Sequence, residues 1–128
     1  MFASELCLVA RWEPGEWALT APLIWQEPKL RIEVPTGFIT DLASIPSGLR
    51  GSLNVTGLSR RPAVVHDYLY CVQTIQRPQA DDFLRRALIA EGETFAVAQA
   101  FWLGVRLGGA SHWYSRKPGL QPEDFVQQ

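Results

Sequence analysis

"RPAVVHDYLYCVQ", residues 61 to 73, places a histidine and an aspartate side by side within an otherwise apolar, aromatic run. At helical period Pro62 suits the first turn, where its missing N–H costs nothing, and Val65, Tyr68, Leu69 and Val72 share one face. The same period continues downstream. A second helix is expected from near Pro78, with Ala80, Phe83, Leu84, Ala87 and Leu88 as its stripe and Gly92 as its stop. Thr94 can cap a third that runs to Gly108 and Gly109, apolar on most sides as the central helix of a small domain would be.

Upstream the pattern changes to that of strands. "ELCLVARW" is followed by the turn signal "EPGE", then "WALTAPLIW", "QEPK" and "LRIEV", in which Leu30, Ile32 and Val34 alternate with charged residues. Pro22 inside the second run calls for an edge position, a bulge or a break into two shorter strands. "VPTGFITDLASIPSGLRG" has loop chemistry, with room for a helical turn after Asp41, and "SLNVTGLSR" shows no period and reads as loop. The expected fold is therefore one α+β domain over residues 1–128, with an N-terminal antiparallel three-stranded meander packed against about three C-terminal helices. Its parts are strand-rich 1–38, loop 39–60, helical 61–110 and an extended, surface-bound tail 111–128.

Composition narrows the class. With 128 residues, 47% hydrophobic, the chain is long enough to bury one core. Lys and Arg number 12 against 13 Asp and Glu, a net charge of -1, so bulk charge gives no nucleic-acid or anionic-membrane signal. Arg60, Arg61, Arg85, Arg86, Arg106, Arg116 and Lys117 read as solvated helix faces and termini. Cys7 and Cys71 show no C-x-x-C spacing and are expected as reduced, buried thiols of a cytoplasmic protein. "MFASELCLVARW" has no basic leader before a long apolar run, and the apolar run from Phe95 is short for a bilayer and carries Gln99 and Arg106.

Chemistry is sought among Asp41, Ser44, His66, Asp67, Asp81 and Asp82. Adjacent helical residues diverge by about 100°, so His66 and Asp67 cannot serve one small site from a regular helix. Asp81 in a first helical turn is favoured by the helix dipole, and Asp41 can cap a turn or close an Asx-turn. The catalytic candidates are Asp41, His66, Asp67 and Asp81. Of these, Asp41, His66 and Asp81 are the candidates for a Mg²⁺, Mn²⁺ or Zn²⁺ site, at a spacing that specifies none. H-E-x-x-H is absent, and a two-histidine site would need His112 to fold back. Cys71 diverges from His66 by about 140° on a helix, no G-x-S-x-G elbow positions Ser44, and "TGLSRRP" lacks the Walker pattern. The five tryptophans, at 12, 17, 25, 102 and 113, are expected in the core or at its rim.

The ordered set "VPTGFITDLASIP", "AVVHDYLY", "QADDFLRRAL" and "AFWLGVRLGGASHW" resembles domain-of-unknown-function family 1353, small proteins of tailed bacteriophages and prophages, from about Val34 to Trp113. The family's T-D-x-A-S-I-P falls on Thr40, Asp41, Ala43, Ser44, Ile45 and Pro46, its H-D-x-L-Y on His66, Asp67, Leu69 and Tyr70, and its A-D on Ala80 and Asp81. Where an aromatic is expected three residues after that aspartate, this chain has Leu84. The resemblance implies a phage or prophage origin and action in the host bacterial cytoplasm or the virion, and supplies no activity. The scarcity of metal ligands and the absence of a convincing nucleophile favour a non-enzymatic structural or assembly protein, in which Asp41, Ser44, His66, Asp67, Tyr70 and Asp81 form a structural polar network. The alternatives are a metal-assisted hydrolase of cell wall or nucleotide and a host-takeover or anti-defence binder. No cofactor is expected unless a divalent metal, and the expected partner is a virion or host protein.

Overall fold

The computed structural model describes residues 1–13, 15–42 and 57–126. Ser44, the helical turn expected after Asp41 and most of the loop before Gly57 lie outside the described residues. The chain is α+β, with antiparallel strands followed by helices.

The strands are β1 (Leu8–Ala10), β2 (Trp17–Leu19), β3 (Leu23–Glu27), β4 (Leu30–Val34) and β5 (Ile39–Thr40). β1, β2 and β5 form an antiparallel sheet in that order, with Leu8 opposite Leu19 and Trp17 opposite Thr40. β3 and β4 pair as a separate hairpin, with Leu23 opposite Val34. The "WALTAPLIW" run therefore divides at Pro22, which has no N–H for a ladder. The third strand of the three-stranded sheet is not "LRIEV" but Ile39–Thr40, inside the stretch expected as loop. Gly37 makes this return possible: at φ +88 it turns the chain back so that its N–H reaches Leu19 O and Leu19 N–H reaches Phe38 O.

The helices are α1 (Arg60–Val72), α2 (Arg77–Glu91), α3 (Phe95–Gly108) and α4 (Ala110–Tyr114), with a 3₁₀ turn at Gly57–Ser59. Thr94 caps α3, its Oγ1 accepting from Val97 N–H at 3.2 Å. A Gln76/Gln79 capping box opens α2. α1 is the central element, with Val64, Val65 and Leu69 packed against Leu23, Trp25, Ile32 and Val34 of the hairpin and Phe83 of α2. Trp25 and Phe83 meet edge to face at 5.1 Å. A second cluster, Ala63, Leu84, Leu88, Ala98, Phe101 and Val105, binds α3 to α2 and α1.

Three expectations are corrected. α3 is not the central helix: only Ala98, Phe101 and Val105 are buried, and Phe95, Leu103 and Leu107 face outward. Its apolarity on most sides could not say which side meets the core. The tail is not extended from residue 111, because α4 occupies its start and a 3₁₀ turn covers Pro122–Asp124. Arg116 and Asp124 pair at 2.7 Å and Phe125 bridges to Phe38, so the tail is tied to the sheet. Cys71 is buried but Cys7 is exposed, since Phe2, Ser4, Leu6 and Leu8 turn partly inward and the residues between them face out. Among the described residues no helix is long and apolar enough to cross a membrane.

Truncating Phe83 removes a ring that is 1% exposed, so Phe83→Ala should cost about 3–5 kcal/mol in urea unfolding. Trp12, 96% exposed, should tolerate Trp12→Ser within about 0.5 kcal/mol. Equal losses at the two positions would contradict the packing described.

Candidate functional site

Helical geometry separates the His66–Asp67 doublet as the 100° step requires. His66 and Tyr70, one turn apart on α1, both face α2 and meet Asp81. His66 Nε2 lies 2.7 Å from Asp81 Oδ1, and the Tyr70 hydroxyl donates to the same oxygen at 2.6 Å. Asp81 Oδ2 accepts from Arg106 of α3 at 2.8 Å, with Arg77 Nε 3.8 Å away. Arg77 in turn donates to the Tyr70 hydroxyl at 3.2 Å and to the carbonyls of Val105 and Arg106 at 2.9 and 2.8 Å. One fully buried carboxylate of α2 thus draws donors from the two helices beside it, α1 and α3, and Arg77 satisfies carbonyls at the end of α3.

Burial alone would raise the pKa of Asp81, but the hydrogen bonds from His66, Tyr70 and Arg106 outweigh it and hold the carboxyl below its ordinary value. Burial lowers the pKa of His66, against the pull of Asp81. The ring is therefore neutral at neutral pH. An ionised Asp81 can only accept, so His66 carries its proton on Nε2 and presents Nδ1 as an acceptor. Tyr70 is pushed well above the ordinary phenol value, by burial first and by its bond to Asp81 second. Gly109 belongs to the same construction: a Cβ there would come within 2.7 Å of the Tyr70 hydroxyl, and the ring stacks edge to face on Trp113 at 4.9 Å.

Asp67 faces the other way, toward the sheet and tail. It bonds the side chain of Thr40, itself buried, whose Oγ1 also accepts from Leu42 N–H at 3.1 Å. Burial pushes the Asp67 carboxyl from 3.8 to about 7, with Asp41 and Asp124 adding to the rise and Thr40 and Arg116 opposing it. Arg116 also donates to Cys71 Sγ at 3.1 Å, and burial takes that thiol up to about 12, too high for a nucleophile at neutral pH.

The sequence candidates thus fall into two groups. His66, Tyr70 and Asp81 meet at the helix junction, whereas Asp41 acts on Asp67 at the sheet side. Asp82 is on the surface with Arg85 and Arg86. Asp81 is not in the first turn, since α2 begins at Arg77, and its charge is met by side chains rather than by free backbone N–H groups. Arg106 and Arg116 are partly buried ion-pair partners rather than solvated surface charges. Arg77, Arg106, Thr40, Arg116 and Asp124 were missed as site residues; only Arg77, four residues before Asp81, carried a local signal. Of the tryptophans, Trp25 and Trp113 are buried and Trp12 and Trp17 exposed. Among the described residues, no group of three or more His, Cys, Asp or Glu side chains could hold a metal ion.

Fold and site together define a small α+β protein whose helices close over a buried Asp–His–Tyr–Arg network. Residues 17–105 match the family model described as Protein of unknown function (DUF1353), and the chain belongs to that family. No curated protein matches the chain, and no solved structure does.

Two outcomes follow from the electrostatics. Asp81→Ala leaves Arg77 and Arg106 without their buried partner and should cost about 3–5 kcal/mol, read as a fall in Tm. Between about pH 4 and 7 the folded chain keeps a proton on Asp67 that the unfolded chain has lost, so this group's contribution to stability declines as pH rises across that window. Asp67→Asn should therefore gain stability relative to the parent as pH rises from about 4 to 8. A difference that is flat with pH would contradict a raised Asp67 pKa. His66 acts in the opposite sense, because the unfolded chain takes up a proton below about 6.5 that the folded ring refuses, so its contribution is lost as pH falls.

Proposed function

We propose that this is a small non-enzymatic protein of tailed phages or prophages that acts in virion or tail assembly, in the host cytoplasm or as part of the particle. The observation that carries this reading is the closure of the Asp81 network. A general base or metal ligand must keep a lone pair directed at substrate or ion. Asp81 is fully buried and both its oxygens accept from side chains of the protein, while His66 is buried beside it. The groups that resemble a hydrolytic site in sequence are thus used in joining helices, which is how a fully satisfied polar network specifies one packing. The phage setting comes from the family resemblance of the D…HD…D pattern.

Deleting the gene from the phage or prophage that carries it, and complementing in trans, tests the reading. Deletion should lower the yield of complete particles, with heads or tails accumulating apart in electron micrographs. Unchanged particle yield and infectivity would overturn it. So would metal-dependent hydrolysis of cell wall or nucleotide by the purified chain, lost in a folded His66→Gln variant.

A further inference from the structure

α3 presents a second apolar face. Ala98, Phe101 and Val105 are buried against α1 and α2. On the opposite side of the helix, at about 100° per residue, stand Ala96, Ala100, Leu103 and Leu107. Their spacing of four, three and four is that of a helix-pairing seam. Leu103 is 50% and Leu107 78% exposed, and Phe95 at the start of the helix is 65% exposed. Leu103, Leu107 and the two alanines together leave on the order of 300 Å² of apolar surface in water, the lower end of the size at which a patch on a monomer marks an interaction site.

We infer that this face pairs with the same face of a second copy of the chain, antiparallel about a two-fold axis between residues 101 and 102. Three features select that occupant. In this register Ala96 opposes Leu107 of the second copy and Ala100 opposes Leu103, so each large side chain meets a small one. A two-fold contact must be self-complementary in this way. The seam carries no charge, so no like-charge contact opposes its pairing. Antiparallel pairing brings unlike ends together and opposes the two helix dipoles, while parallel pairing would bring like ends together. The exposed area is well under what each partner contributes to a standard interface, so the pairing is weak and reversible. This surface is separate from the Asp81 network, and its existence does not depend on the assembly role.

Sedimentation equilibrium of the purified chain tests the inference. The parent should reach a monomer–dimer equilibrium with Kd on the order of micromolar, and Leu103→Glu with Leu107→Glu should weaken it about a hundredfold or more while far-UV circular dichroism is unchanged. Trp12→Ser, on the sheet side, should leave Kd unchanged. The pair Ala96→Cys and Leu107→Cys in a Cys7→Ser background, too far apart to bond within one copy, should give a covalent dimer with oxidised glutathione. A parent that is monomeric at about 100 µM, a dimer that survives the two glutamates, or one lost with Trp12→Ser overturns the inference. A parent dimer without the cross-link overturns the register.

Discussion

The helical half is organised by one carboxylate. Asp81 is buried without solvent, and an isolated charge there would cost far more than a domain of this size has in net stability. It is tolerated because His66 and Tyr70 of α1 and Arg106 of α3 converge on it from separate elements. The cost and the compensation together make the arrangement selective. Rotating α1 or sliding α3 by one residue would strand the charge, so the network fixes the register of three helices in a way that interchangeable apolar contacts do not.

The rest of the helical packing is consistent with that constraint. Tyr70 can reach Asp81 only because Gly109 leaves room for its hydroxyl. Arg77 ties the same hydroxyl to the last carbonyls of α3. On the other face of α1, Asp67 is held by Thr40 at the end of β5, so α1 joins the sheet through one member of the doublet and the other helices through the second. The doublet is a two-sided fastening.

Much of the fold was legible in the sequence for local reasons. Helix limits followed from Pro62, Thr94 and Gly92, and strand alternation in "LRIEV" placed Ile32 and Val34 inside. Non-local facts were not legible. Nothing in "GFIT" says that Ile39–Thr40 pairs with Trp17–Ala18, because that pairing depends on where Pro22 breaks the preceding strand. For the site, the 100° step separated His66 from Asp67 correctly, but choosing which carboxylate meets the imidazole required the α1–α2 packing. Arg106 comes from 25 residues beyond Asp81, and its sequence context looks like an ordinary helix surface. The apolar residues of α3 were likewise visible, but periodicity cannot distinguish a helix buried all round from one with a second face turned outward.

Asp81 is ionised and fully engaged, and burial keeps His66 neutral against its pull, with the imidazole proton on Nε2. Nitrogen-15 NMR of the imidazole side chains tests this directly. The expected result is a neutral Nε2–H signal for His66 that exchanges slowly with solvent and persists at pH values where a free imidazole is already protonating, since burial lowers its pKa from 6.5. A His66 ring that titrates near 6.5, or one protonated on Nδ1 instead, would contradict it.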